Sequence, residues 1–159
     1  MQQNRNNATE DTTQRFLQEL NKVLPDSRLI LYGIQRTISL LDTQNSHIIT
    51  QQRLTPNEWK TFLTLLAFYP NYTPYETLLS VVTSLSVEQC RRELQEVQRK
   101  ERKYFKRVFR PAARAITNLR IKLEQVVPML HIAPLPQCGY LLMIKSTRLY
   151  PYEARQEEQ

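Results

Sequence analysis

Arg110, Arg114, Thr117, Asn118 and Ile121 lie along one stretch at spacings that a helix gathers onto a single side. An arginine and an asparagine presented together on an exposed helix suit the DNA major groove, where each makes paired hydrogen bonds to base edges. On the opposite side, Ala112, Ile116, Leu119 and Leu123 form the apolar stripe of a half-buried helix. Pro111 suits the first helical position, because its fixed φ fits there and its missing N–H is not needed. The spacing therefore predicts a recognition helix over about 111–127, with the five polar-side residues as candidate base readers.

Long cations surround that helix. The window Arg91–Lys122 holds 12 cations and three carboxylates, a net of +9 within a chain of net +7. The remainder, with 10 cations and 12 carboxylates, nets −2. A local surplus of this kind is the electrostatic footprint of a protein that binds a polyanion. Lys103, Lys106 and Arg107 lie upstream of the recognition helix, and Arg120 and Lys122 lie on its flanks. All five are candidate phosphate contacts, which position a protein without reading sequence. Tyr72 and Thr73 join them, beside the start of a second helix whose free N–H groups favour anions. No Ser/His/Asp, Cys/His or paired-carboxylate constellation is suggested, so no enzymatic activity is expected. Cys90, Cys138, His47 and His131 are too scattered for a metal site. Two glycines exclude a Gly-rich phosphate loop, and no cofactor is expected.

The elements that must carry these residues follow from the same patterns. A length of 159 residues suits one domain with a modest extension. Residues 1–9 are polar and rich in Gln and Asn, and are expected to be a disordered tail without the apolar segment of a signal peptide. Phe16, Leu17, Leu20, Val23 and Leu24 predict an N-terminal helix within 10–26, stopped by Pro25. Three short runs at 28–32, 36–41 and 47–50 predict a small antiparallel sheet. Thr55-Pro56-Asn57-Glu58 is a capping box that opens a helix, and Thr73-Pro74-Tyr75-Glu76 repeats the pattern. Between them Asn71 can turn the chain in the left-handed conformation. Ser86 opens a long inserted helix over 87–108. Its seam of Val87, Cys90, Leu94, Val97, Tyr104 and Val108 is interrupted at Glu101, and fits either its own domain or a second copy. Leu130 to Pro134 and Gly139 to Ile144 predict a β-hairpin, and residues 147–159 form a C-terminal tail. No apolar run approaches the ~18 residues of a membrane span, and the cysteine usage fits a reducing compartment. A cytoplasmic location without membrane contact is expected.

Sheet, helix, corner, helix, insert, basic helix and hairpin, in that order, resemble the OmpR/PhoB-type winged-helix DNA-binding domain. Leu54-Thr55-Pro56-Asn57-Glu58-Trp59 is similar to that family's Leu-Thr-x-x-Glu-aromatic start of the first helix. Ile116-Thr117-Asn118-Leu119-Arg120-Ile121-Lys122-Leu123 is similar to its Ile-Ser-x-Leu-Arg-x-Lys-Leu recognition helix, and Gly139-Tyr140-Leu141-Leu142 to the Gly-Tyr-x-Leu that closes its wing. The resemblance covers about residues 28–144. It implies an α+β winged helix-turn-helix over 27–146, here with the inserted helix and the N-terminal helix added. It also implies that Arg114, Thr117, Asn118 and Ile121 face bases or phosphates, with Gln137 and Tyr140 in the wing. Pro136 and Gln137 stand where the family's wing carries an arginine for the minor groove. The ~27 residues upstream are too few for a receiver domain, so a stand-alone regulator is expected. Its expected partners are double-stranded DNA, RNA polymerase or another regulator, and a second copy of the chain. The competing expectation is an interaction module that docks through the inserted helix.

Overall fold

The computed structural model describes residues 3–145, which fold into five helices and two small antiparallel sheets. Helix α1 (Gln3–Val23) leads into a sheet of β1 (Ser27–Tyr32), β2 (Thr37–Asp42) and β3 (Ile48–Arg53), paired in chain order. Four helices follow: α2 (Pro56–Phe68), α3 (Tyr75–Val82), α4 (Val87–Gln98) and α5 (Arg102–Val126). A two-residue strand β4 (Thr73–Pro74) joins β5 (Leu130–Leu135) and β6 (Gly139–Ile144) in a second sheet of order β4-β6-β5. The tail expected over 147–159 lies outside the described residues.

One apolar cluster unites these elements. It draws Phe16 and Leu20 from α1, Leu29 and Ile38 from the first sheet, and Phe62, Leu65 and Leu66 from α2. Leu78 and Leu79 of α3, Cys90 and Leu94 of α4, Ile116, Leu119 and Leu123 of α5, and Leu130, Ile132 and Leu142 of the hairpin also belong to it. Each such side chain contributes roughly 1.5–3 kcal/mol of transfer free energy. Helix α1 packs on α2 and β1 of its own chain. Phe16 meets the Tyr69 ring edge-on at 5.0 Å, and the Tyr69 hydroxyl donates to the Glu19 carboxylate. Burial and that bond push the Tyr69 phenol up to about 12.

Local chemistry explains where α2 and α4 begin. Thr55 accepts from the Glu58 amide while the Glu58 carboxylate accepts from the Thr55 amide at 2.9 Å, a complete capping box. Ser86 and Gln89 make the same reciprocal pair ahead of α4. The box expected at Thr73 does not form. Thr73 is drawn into β4 opposite Tyr140, its side chain is fully buried, and α3 starts without a side-chain cap. The corner before it also differs from expectation: Asn71 is not among the residues with positive φ, and the Tyr69–Pro70 peptide is cis. Gly139 sits where β6 crosses β4, and a Cβ there would come within 1.9 Å of the Thr73 carbonyl oxygen. No other residue type fits that crossing.

Two helix boundaries depart from the sequence pattern. Helix α1 begins at Gln3 instead of about residue 10, because its docked C-terminal half supplies a ladder that the polar residues extend. The helix expected over 87–108 ends at Gln98, and the one expected from Pro111 begins at Arg102. Glu101 explains the shift. A continuous seam would need an apolar residue there; instead the chain turns, with Lys100 donating to the Val97 carbonyl and Tyr104 to the Glu101 carbonyl. Turning at that point lets Phe105 and Phe109 pack against Tyr75. Pro111 is consequently inside α5, on its exposed side. Its ring removes the hydrogen bond to the Arg107 carbonyl, which faces water there.

Candidate nucleic-acid interface

Joining the last residues of the first expected helix to the second, in the single rod Arg102–Val126, puts the basic stretch and the base-reading candidates in a single row. On α5, Lys103, Arg107, Arg110, Arg114, Asn118, Ile121 and Gln125 follow one another at steps of three and four, and all are exposed. Thr117 sits beside Asn118 and is exposed too. At 1.5 Å per residue the row is about 33 Å long. Behind it Ala112, Ala115, Ile116, Leu119, Leu123 and Val126 are buried and hold the helix to the core. Ile121, with 52% of its surface exposed, is an apolar side chain that no part of the described fold covers.

The upstream cations differ in how they are held. Lys103 pairs with Glu101 at 3.2 Å, and both Lys103 and Arg107 lie over the Tyr104 ring, at 5.3 and 5.9 Å from its centre. Lys106 is exposed and faces the hairpin side. Among the described residues neither Arg110, Arg114 nor Lys106 has a carboxylate partner within ion-pair distance. Arg91, by contrast, is engaged by carboxylates of the chain itself, joining Glu88 of its own helix and Glu76 of α3 at the surface.

Three of the expected phosphate contacts are placed elsewhere. Thr73 is buried and its hydroxyl has no partner; sheet pairing of its backbone turns it inward. Lys122 donates to the Glu58 carboxylate at 2.7 Å and to the Arg53 carbonyl at 3.0 Å. It ties α5 to the start of α2, and its charge answers a carboxylate that is 4% exposed. Arg120 is half-buried with its Nε enclosed and unpartnered, because it points along the flank toward β5. There its charge and that of Lys145 add to burial in holding the His131 imidazole below its usual range. Tyr72 remains exposed beside the start of α3.

The hairpin turn stands next to the row. Pro136 and Gln137 occupy its tip, Gln137 with φ of 66°, and the Cys138 amide donates back to the Leu135 carbonyl at 3.0 Å. That is the backbone of a turn with proline first and a left-handed residue second. Gln137 is exposed, whereas Tyr140 is half-buried with its ring stacked on Phe109, 6.2 Å away and 9° from parallel.

Between the turn and the first half of α5 lies an open groove of about 950 Å³ that the spacing of the sequence did not suggest. Phe105 and Phe109 floor it. They share a helical stripe with each other, but the seam traced through Tyr104 and Val108 is one position out of phase with them. Cys90 is buried beneath α4, its thiol pushed up by desolvation, so the apolar face of α4 is used against α3 and α5.

No helix among the described residues is long and apolar enough to cross a membrane. No protein-family model, curated protein or solved structure matches this chain.

Proposed function

We propose that the chain is a DNA-binding transcription regulator of winged-helix type, with α5 as the recognition helix and β5–β6 as the wing. The observation that carries this reading is the uncovered row Arg110–Arg114–Thr117–Asn118–Ile121 on a helix whose other side is buried in the core. A helix with side chains is about 10–12 Å across, close to the ~12 Å width of the major groove. Arg114 and Asn118 are one turn apart and both free to reach base edges. The short strand β4, which links the hairpin to the corner between α2 and α3, supports the wing assignment. Since a 33 Å row outruns one groove crossing, its Lys103–Arg107 end is left over the phosphate backbone, where long cations serve best. Burial of Cys90 and Leu94 within the fold supports this reading over an adaptor docked through α4, where Val87 and Val97 are half-buried.

Arg114→Ala and Asn118→Ala test the reading. A preferred duplex is first selected from random fragments with the purified protein. Each variant then weakens binding to that duplex by about 1–3 kcal/mol and relaxes its preference over random DNA, as a mobility-shift titration reads. Equal weakening on both duplexes means that the row touches phosphate and reads no bases.

A further inference from the structure

The groove between α5 and the hairpin turn combines two features that the row itself lacks. Its floor is aromatic. Phe105 and Phe109 lie 5.8 Å apart and 22° from parallel, Tyr140 continues the set beyond Phe109, and Tyr75 stands nearly perpendicular to all three at 5.1–6.1 Å. Its rim is cationic: Arg102, Lys106 and Arg110 line it, and no carboxylate does. None of these three cations has an ion-pair partner among the described residues.

The three cations are spaced four residues apart, about 6 Å per step and ~12 Å in all along the helix. A row of that length outspans one phosphate and runs beside an aromatic floor. Flat rings that accept any base, alongside cations that track a backbone, are the two components of single-strand binding. We infer that this groove binds unpaired nucleotides of a strand, stacking bases on the half-buried Phe105 and Tyr140 rings, which the buried Phe109 backs, and holding their phosphates on Arg102, Lys106 and Arg110. The groove shares Arg110 with the duplex-reading row, so a single strand leaving a duplex held by α5 passes directly into it. The inference rests on the proposed duplex reading only for that continuity; the floor and rim stand without it.

The experiment compares four labelled probes by fluorescence anisotropy with the full chain: a blunt duplex, the same duplex with a single-stranded overhang, the overhang sequence alone, and adenosine monophosphate. The overhang is expected to tighten binding at least about fivefold over the blunt duplex. Phe105→Leu abolishes that gain and leaves blunt-duplex affinity unchanged; independently, Arg102→Gln of the exposed rim lowers affinity for the overhang probe by a larger factor than for the blunt duplex. Arg114→Ala weakens the blunt duplex and keeps the gain. Binding of the isolated strand without binding of the blunt duplex upholds the groove and overturns the duplex reading. An overhang that adds nothing, with no binding of the isolated strand, overturns the groove and leaves the duplex reading standing. Adenosine monophosphate that binds as tightly as the strand also overturns the inference, because the groove is then a small-molecule site.

Discussion

The two halves of α5 are built differently, although one unbroken rod runs through both. From Pro111 to Val126 the helix is embedded: six side chains are buried and Lys122 is fastened to the buried Glu58. Its open row carries the mixed set of one guanidinium, two amides, one hydroxyl and one apolar group, from Arg114, Asn118, Gln125, Thr117 and Ile121. From Arg102 to Arg110 only Phe109 is buried, the support is a layer of aromatic rings, and five cations crowd the surface. On the proposed reading, one half is fixed by its packing against the core and presents side chains to base edges. The other delivers charge, for which exact placement matters less. Position and charge are thus divided along one helix, which a plain count of basic residues would not reveal.

That contrast breaks most readily at Lys122. Lys122→Met leaves the Glu58 carboxylate buried with a single amide donor and should cost roughly 3 kcal/mol of stability. Lys106→Gln, in the charged half, should stay within about 0.5 kcal/mol. Urea midpoints of the two variants measure the difference; equal midpoints would mean that the second half is not fastened as described. The next effect has the opposite sign. Pro111→Ala restores the N–H that bonds the Arg107 carbonyl and should stabilise by about 2 kcal/mol, the interior cost of proline reduced by the looser unfolded chain. Were Pro111 the first residue of a separate helix, the substitution would gain nothing, so the midpoint distinguishes one rod from two.

What the sequence made legible was the chemistry of neighbours. Thr55 and Glu58 are three residues apart and cap each other with no help from the fold, so their box was visible at once. The apolar stripe of α5 and the two strands of the hairpin follow from period alone, and so does the exposure of Arg114 and Asn118. What stayed hidden depends on distant partners. Thr73 has the right types around it for a cap, but pairing with Tyr140 claims its backbone. Lys122 looks like any flank cation until Glu58, 64 residues earlier, is brought to 2.7 Å. The break at Glu101 had a sequence signal, the one polar residue in a seam, yet only the packing of Phe105 and Phe109 on Tyr75 shows that the chain turns there. The groove was hidden for the same reason, since its four rings come from three separate elements.

The charged half can be sharpened by its salt response. Replacing Lys103 and Arg107 together with glutamine should lower the steepness of log K against log salt by about 1.8, near 0.9 for each phosphate no longer neutralised. Preference for the selected duplex over random DNA should be unchanged, unlike that of Arg114→Ala. A double variant whose preference falls would place bases, not backbone, under the first half.

The smallest expected effect lies in the embedded half, where its flank meets β5. His131 faces Glu124 at 3.9 Å and lies near Arg120 and Lys145. Burial first, then the two cations, hold its imidazole below the ordinary value of 6.5, outweighing the carboxylate. The folded protein therefore resists protonation that the unfolded chain accepts. Stability from this group is complete above pH 6.5, and is lost as pH falls toward the depressed folded value, because the unfolded state then binds more protons. Between about pH 7.5 and 5.5 the wild-type urea midpoint should fall by more than that of His131→Gln, which has no proton to gain there. Identical falls in the two proteins would mean that the imidazole is solvated, and that the flank of α5 beside β5 is looser than the buried row behind it.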